Sequence, residues 1–237
     1  MASTSRPTLM LLPGLLCDDA AFTEAAKLLA ADADVQIPSF FGFDSIIKMA
    51  EHVLDVAPQR FSIAGFSMGG RVAFQVARMA PERLERFCVF DTAAGPAAEG
   101  EPAKRQILVD LGYASGMRAV ADAWLPPMLH PDRLSDAAFM QPLIDMVCRA
   151  TPEIFARQIN ALLTRPDARP VLPTIKCPSL VMCGLQDAWS PPSSAKAMAD
   201  AIPGAELKLI DHSGHFLPTE QPQAFAAAIR DWLTIAA

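Results

Sequence analysis

The sequence predicts an α/β protein with a mostly parallel, doubly wound sheet of about six strands and a helical cap inserted into it. Short apolar runs alternate with helical stretches, at the start of the chain and again near its end, which is the pattern of βαβ units. The 237 residues are 51% hydrophobic and 19% charged. A chain of this size and composition buries a full core without disulfides or a structural metal.

The first part of the chain alternates strands with helices. Each strand is a short apolar run bounded by turn residues, and Pro38, Pro58 and Pro81 stop the segments before them. Each predicted helix has apolar residues at helical spacing, and two of the helices begin after an Asp or Ser that can cap them. The predicted elements are a strand over 8–12, a helix over 18–31, a strand over 35–37, a helix over 46–56, a strand over 61–64, a helix over 68–80 and a strand over 87–90.

The alternation stops from residue 95 to 173, where helical pieces are separated by prolines, Pro142 among them, and no strand pattern occurs. It then returns with strands over 180–183 and 207–210 and helices over 193–202 and 223–235. We therefore expect residues 1–94 and 174–237 to form one core and 95–173 to form a cap over one end of the sheet. Ligands of such sheets bind outside the carboxyl ends of the strands.

Composition excludes several classes of partner. The net charge is −6, and the 20 Lys and Arg residues are not clustered, so nucleic acid is not expected. The five cysteines are scattered without a Cys-x-x-Cys pair, which favours a reduced, cytoplasmic protein over a disulfide framework or a zinc site. The apolar run near the N-terminus is interrupted at Pro13–Gly14 and is too short to span a membrane, so no membrane association is predicted.

A candidate nucleophile follows the strand over 61–64. The segment Gly65-Phe66-Ser67-Met68-Gly69 is a G-x-S-x-G pattern between a predicted strand and a predicted helix. A nucleophilic serine at such a sharp turn needs small neighbours, and the N-terminus of the next helix favours developing negative charge. The alternative is a glycine-rich turn with an idle serine.

Serine needs a base, normally a histidine held by a carboxylate. His215 is the preferred base because it follows the last predicted strand on a loop tip, and His212 on the same loop is the alternative. His52 falls inside a predicted helix and His130 inside the cap, where nothing orients it. For the carboxylate, Asp187 after the strand over 180–183 is preferred.

Asp91 is the competing carboxylate, because it directly follows the strand over 87–90. Its simpler role is to hydrogen-bond its own turn. An oxyanion site needs two donors, and the backbone N–H of Met68 is one candidate. The second is expected from the loop after the first strand, where the N–H of Leu15 follows Gly14. The predicted substrate contacts are Leu16, Trp124, Met128 and Phe216.

These motifs resemble those of the α/β-hydrolase superfamily over essentially the whole chain. The matching segments are Leu11-Leu12-Pro13-Gly14, the turn around Ser67, Gly184-Leu185-Gln186-Asp187, and Ser213-Gly214-His215-Phe216 with Glu220-Gln221-Pro222. More narrowly, the chain is similar to small bacterial carboxylesterases, including pimeloyl-carrier-protein methyl ester esterases and enol-lactonases. It departs from the pattern in having Pro13–Gly14 where His-Gly is common, and in lacking two initial strands.

The resemblance implies a serine hydrolase with the triad Ser67, His215 and Asp187. The many apolar side chains of the cap predict a pocket for an ester with a small to medium apolar acyl group. Hydrolysis of a lactone, a thioester or a carbon–carbon bond uses the same triad and stays open. A non-catalytic binding protein on this fold is the alternative from another class. We expect no cofactor and no metal, and we favour a small-molecule ester over an acyl carrier protein as the partner.

Overall fold

The structure, a computed structural model, describes residues 6–236 and is built around a six-stranded sheet in which every pair of neighbours is parallel. The strands are β1 (Thr8–Leu12), β2 (Asp34–Gln36), β3 (Phe61–Phe66), β4 (Leu84–Phe90), β5 (Ser179–Gly184) and β6 (Glu206–Ile210). Their spatial order is β2-β1-β3-β4-β5-β6. The predicted α/β class is confirmed. The chain reverses its winding direction beside β1, which opens a crevice at the carboxyl ends of β1 and β3.

Helices flank this sheet, and four of them (residues 46–56, 68–79, 192–201 and 222–233) have bounds within two residues of those predicted. The helices are α1 (Thr23–Leu29), α2 (Ile46–Val56), α3 (Met68–Met79), α4 (Glu101–Trp124), α5 (Ala137–Cys148), α6 (Pro152–Leu163), α7 (Pro192–Ala201), α8 (Leu217–Glu220) and α9 (Pro222–Leu233). Helix α3 packs against β1, β3 and β4, while α1 packs against α9. The inner strands β3 and β5 are buried along their whole length, as parallel strands covered on both faces require.

Some details differ from the sequence prediction. Strand β4 begins three residues earlier than expected, because Glu85 and Arg86 at its start hide the apolar pattern. Pro142 lies inside α5 instead of separating two helices, although it removes one backbone hydrogen bond there. The short helix α8 was not predicted at all, and the helix expected over 18–31 begins as a separate 3-10 turn capped by Asp18.

The inserted region consists of α4, α5 and α6, and its described residues contain no strand. Two short 3-10 turns join α4 to α5, and residues 149–151 join α5 to α6. Helix α4 packs against both α5 and α6 and is broken at Gly116, whose φ is 82°. We propose residues 95–173 as a cap on a core formed by 1–94 and 174–237, of which 1–5 and 237 lie outside the described residues. None of the described helices combines the length and apolar character needed to cross a bilayer.

Candidate active site

Ser67 stands at the turn between β3 and α3 in a strained backbone conformation. Its φ of 50° and ψ of −110° lie in a region that costs an L-residue about 1–3 kcal/mol. Two bonds to the end of β4 hold the turn: the Ser67 N–H donates to the Phe90 carbonyl at 3.1 Å, and the Thr92 hydroxyl donates to the Ser67 carbonyl at 2.8 Å. The turn therefore presents the Ser67 hydroxyl at the carboxyl end of the sheet.

This turn needs glycines because neighbouring backbone segments come so close at these positions that a side chain would not fit. A Cβ at Gly65 would lie 2.5 Å from the Gly69 carbonyl oxygen. A Cβ at Gly69 would overlap the Leu12 carbonyl of β1, and one at Gly14 would lie 2.9 Å from the Phe66 ring. The G-x-S-x-G spacing is thus required by close packing between the serine turn and the first strand.

His215 joins the serine to a carboxylate. Its Nε2 lies 2.9 Å from Ser67 Oγ, and its Nδ1 lies 2.8 Å from Asp187 Oδ2. The histidine and the aspartate are both buried, each with 2% of its surface exposed. The three residues come from the loops after β3, β5 and β6, and the structure brings together the three side chains expected to meet.

Asp187 is held by backbone donors as well as by the imidazole. Its Oδ1 accepts hydrogen bonds from the N–H groups of Trp189 and Ser190, both at 2.8 Å. The competing Asp91 accepts from the N–H groups of Gly184 at 3.0 Å and Leu217 at 3.1 Å and makes no hydrogen bond to His215. Burial and the nearby Asp187 raise the pKa of Asp91 well above its usual range.

The loop that carries His215 is fixed by Glu220, a residue to which the sequence analysis gave no role. Its Oε1 accepts from Gly214 N–H at 2.9 Å and Phe216 N–H at 3.1 Å, on either side of the histidine. Its Oε2 accepts from the cap residue His130 through the backbone N–H at 2.7 Å. Burial raises the pKa of Glu220. The sequence does contain a signal for this role, namely an acidic residue a few positions after the histidine and before the final helix.

Two residues that share a cavity with Ser67 have backbone N–H groups without a partner among the described residues. Leu15, after β1, and Met68, the first residue of α3, donate to no acceptor within residues 6–236. The next amide in the first loop, Leu16 N–H, is already engaged, since it donates to the Gln158 side chain at 2.9 Å. Gln158 lies on α6, is fully buried and also donates to the Phe40 carbonyl at 3.3 Å. Sequence reasoning missed this link between cap and loop.

A cavity of about 370 Å³ opens beside Ser67, Leu15 and Met68. Trp124 and Met128 line it as expected. Leu16 and Phe216 are both fully buried and are not on its wall. Phe216 packs behind the site, with its ring centroid 5.3 Å from that of Phe66 and 6.0 Å from that of Trp124. Much of the remaining apolar wall comes from the proposed cap, namely Leu108, Phe155, Ile159 and Leu162, and Ala93 and Trp189 add to it from the core.

A family model for the alpha/beta hydrolase family matches residues 9–228, which include all of the sheet except its first residue and all three triad candidates. The chain belongs to the alpha/beta hydrolase family. Two curated relatives are pimeloyl-[acyl-carrier protein] methyl ester esterases. That of Photobacterium profundum is 28% identical over 80% of this chain and 77% of its own, and that of Nitrosomonas europaea is 26% identical over 78% and 75%.

Other relatives of this alpha/beta hydrolase carry different names. A putative carbamate hydrolase of Yersinia enterocolitica is 25% identical over 83% of this chain and 72% of its own. Among solved structures, a thermophilic esterase from Thermogutta terrifontis has a TM-score of 0.86 at 27% identity, covering 97% of this chain and 90% of its own. The enol-lactonase of Burkholderia xenovorans has a TM-score of 0.88 at 24% identity and covers 99% of this chain and 94% of its own. This second likeness shows that the two proteins share a fold. The chain is a hydrolase.

Among the described residues of this alpha/beta hydrolase, two groups of side chains have ligand atoms within 4.8 Å of one another. One is buried and consists of Asp91, Cys183 and Asp187, whose carboxylates are already hydrogen-bonded as described above. The other lies near the surface and consists of His130, Asp132 and His212. Within that group the Asp132 N–H donates to the imidazole of His130, and no further observation points to an ion. The two groups do not alter the assignment of the site.

The other histidines lie away from Ser67. His212 has an exposed ring that packs near His130, at 5.5 Å between centroids, and its φ is 54°. His52 lies on α2 with its ring 5.0 Å from that of Phe43. Of the four histidines, only the ring of His215 reaches the serine hydroxyl.

Proposed function

We propose that the protein is a serine esterase that cleaves a carboxylic ester through a covalent acyl-enzyme. The observation that carries the proposal is the continuous chain of contacts from Ser67 Oγ to His215 Nε2 at 2.9 Å and from His215 Nδ1 to Asp187 at 2.8 Å. This arrangement is what a serine needs to act as a nucleophile at neutral pH.

In the first half of the reaction, Ser67 Oγ attacks the ester carbonyl while His215 Nε2 accepts the hydroxyl proton. The tetrahedral intermediate collapses to the acyl-serine, and the imidazolium gives its proton to the leaving alcohol. In the second half, water attacks the acyl-serine with the same histidine as base, which releases the acid and the free enzyme. Asp187 keeps the proton on Nδ1 and stabilises the imidazolium.

The backbone N–H groups of Leu15 and Met68 are the proposed donors to the oxyanion. Neither has an acceptor in the part of the chain that the structure describes, and both residues border the cavity beside Ser67. A preorganised donor of this kind is worth roughly 3–4 kcal/mol in the transition state. Gln158, by holding the adjacent Leu16 amide, is proposed to position this loop.

The proposed substrate is a small-molecule ester with a small to medium acyl chain. A cavity of about 370 Å³ with a mainly aliphatic and aromatic wall from the cap accommodates such a chain. Relatives named as methyl ester esterases and an esterase support ester cleavage over the other reactions open to the same triad. The cap side chains Trp124 and Met128 are the proposed substrate contacts.

The test combines activity and covalent labelling. The protein is assayed on p-nitrophenyl esters from acetate to octanoate, on lactones and on thioesters, and is treated with a fluorophosphonate followed by peptide mass spectrometry. We expect ester hydrolysis with a single label on Ser67, and loss of both in Ser67→Ala. Ser193→Ala, which removes an exposed hydroxyl on α7, is the matched control and should keep both. Full ester activity in Ser67→Ala, or a folded protein inert to esters and label, would overturn the proposal.

A further inference from the structure

One wall of the cavity carries an arginine whose charge has no partner. Arg71 follows Ser67 by four residues, so its side chain leaves α3 on the face of the serine, about 6 Å further along the helix axis. Its Nη1 donates to the Gly95 carbonyl at 2.6 Å. Within residues 6–236, no carboxylate lies within 4.0 Å of this guanidinium. Apart from the bond to Gly95, its side-chain N–H groups donate to no acceptor among these residues, so the remaining donors are open to a ligand in the cavity.

The neighbouring arginines, in contrast, are paired. Arg165 donates from Nη1 and Nη2 to the two carboxylate oxygens of Glu101, at 2.8 Å each, and Arg105 donates from Nε to the same carboxylate at 2.8 Å. Arg165 also donates to the carbonyls of Gly95 and Pro96. The Ala98 N–H donates to the same carboxylate at 3.0 Å, so four donors occupy the two oxygens of Glu101 and leave no acceptor site for Arg71.

The surroundings favour a negative ligand at this point. Burial and the repulsion of Arg165 lower the pKa of Arg71 to about 9, so the group stays charged at pH 7 while its charge is poorly solvated. The cavity lining has four cationic side chains and two acidic ones, whereas the chain as a whole has a net charge of −6. An anion that enters the cavity offsets the cost of the buried guanidinium and gains a charge-assisted hydrogen bond.

We propose that Arg71 binds a carboxylate carried by the substrate, so that the preferred substrates are esters with a free carboxylate a few carbons from the reacting carbonyl. This inference rests on the proposed ester hydrolysis and specifies its substrate class. A planar guanidinium with open donors matches a carboxylate. Lys104 also lines the cavity without an ion pair among the described residues, but it is exposed, whereas Arg71 is largely buried beside the serine. The apolar side chains of Leu108, Trp124 and Phe155 then contact the connecting chain.

The experiment measures kcat and KM for matched pairs of esters. Monomethyl esters of C4 to C8 dicarboxylic acids are compared with methyl esters of the corresponding monocarboxylic acids, and glycolate esters place the carboxylate on the alcohol side. In the wild type, we expect higher kcat/KM for the charged ester of each pair, with a maximum at one chain length because the serine and the guanidinium are at fixed positions. The series with the stronger preference for the charged ester, dicarboxylate or glycolate, shows whether the carboxylate lies on the acyl side or on the alcohol side of the substrate.

The variant Arg71→Gln should lower kcat/KM for the best charged ester about 10- to 150-fold, mainly through KM, and that for its neutral partner less than about fivefold. Arg71→Lys should restore part of the preference. Arg118→Gln removes the same unit of charge from an exposed position paired with Asp122 and should leave the preference unchanged. Thermal unfolding checks that each variant is folded.

The two proposals fail in different ways. Activity on neutral and charged esters alike, with equal losses in Arg71→Gln, would overturn the carboxylate site and leave ester hydrolysis standing. Absence of activity on every ester, with Ser67 unlabelled, would overturn the ester hydrolysis on which the inference rests.

Discussion

The buried carboxylates behind the serine and the partly buried carboxylate at the cap end of the cavity are held differently. At the serine end, the acceptors Asp91, Asp187 and Glu220 are held mainly by backbone N–H groups, which are neutral. At the cap end, Glu101 is held by the guanidinium groups of Arg105 and Arg165. Burial therefore dominates at the first end and raises the pKa of Asp91 and Glu220. At the cap end, burial also acts to raise the pKa of Glu101, but the hydrogen bonds from the positively charged arginines outweigh it. The pKa of Glu101 therefore falls to about 2.

This difference suggests a division of labour. Neutral backbone donors fix the geometry of the proposed triad without adding charge near the nucleophile. The group whose charge changes during the proposed reaction is then the imidazole of His215. The guanidinium cluster around Glu101 adds positive charge where the substrate chain is expected to end. Variants at each end can test whether geometry matters at the first and charge at the second.

The largest expected effect separates the two aspartates near the serine. Asp187→Asn should lower kcat about 10⁴-fold, because an amide can donate to Nδ1 and so favours the wrong imidazole tautomer. Asp91→Asn should lower kcat less than tenfold, since this carboxyl makes no hydrogen bond to His215, although the loss of one acceptor for a backbone N–H lowers stability. The measurement is kcat at pH 7 on the best ester, with folding checked by circular dichroism. Equal losses in the two folded variants would make Asp91 part of the catalytic machinery.

The next effect tests whether the serine turn depends on close backbone packing. Gly69→Ala should lower the free energy of unfolding by about 3 kcal/mol or more, because its Cβ would overlap the Leu12 carbonyl and β1 cannot move away without disturbing the sheet. Gly42→Ala is the control, since no atom lies within 4 Å of the added Cβ, and it should change stability by less than about 0.5 kcal/mol. Urea unfolding at pH 7 measures both. Similar stability for the two variants would contradict the packing argument.

Much of the sheet and of its motifs can be predicted from the sequence, because local signals determine them. The strand β1 has the predicted bounds, since an apolar run ends there at a proline and a glycine. The turn around Ser67 and the loop around His215 are likewise recognisable from residues that are adjacent in the chain. Asp187 and Asp91 both follow strands, so their sequence positions cannot distinguish them. The hydrogen bonds to the Trp189 and Ser190 amides set the path that brings Asp187 to the imidazole.

The features that could not be predicted arise from contacts between distant segments. The bond from Gln158 to the Leu16 amide joins residues 142 positions apart, and Glu220 reaches His130 across 90 positions. Arg71 has the sequence context of an ordinary helix residue, and only the packing of the cap over α3 places it on a cavity wall. Long-range polar contacts of this kind leave no periodic pattern in the sequence.

At the cap end, Glu101→Gln should lower the free energy of unfolding at pH 7 by about 2–3 kcal/mol, because it leaves the neighbouring arginines without their carboxylate. Burial alone would raise the pKa of Glu101, but hydrogen bonds from Arg165, the Ala98 amide and Arg105 lower it from 4.5 to about 2. The stabilisation is therefore complete above pH 4.5 and is lost as pH falls toward 2. The wild-type advantage over the variant should shrink across that window.

Urea unfolding at pH 7, 5, 4 and 3 measures this dependence. Glu51→Gln, at an exposed position on α2, is the control for removing one acidic side chain and should show little difference from the wild type at any of these values. If the difference in the free energy of unfolding between the wild type and Glu101→Gln stayed constant from pH 7 to pH 3, the charge of Glu101 would not be what stabilises this end of the cavity.

The smallest expected effect concerns the link between the two ends. Gln158→Leu leaves the Leu16 N–H buried without an acceptor, so we expect a loss of about 1–2 kcal/mol in the free energy of unfolding. Because Leu16 adjoins the proposed oxyanion donor Leu15, kcat should fall about tenfold while KM changes little. Asn160→Leu, on the exposed face of the same helix, should keep the wild-type kcat. If Gln158→Leu raised KM and left kcat intact, the cap would act on substrate binding alone, and the oxyanion loop would be positioned by the core without it.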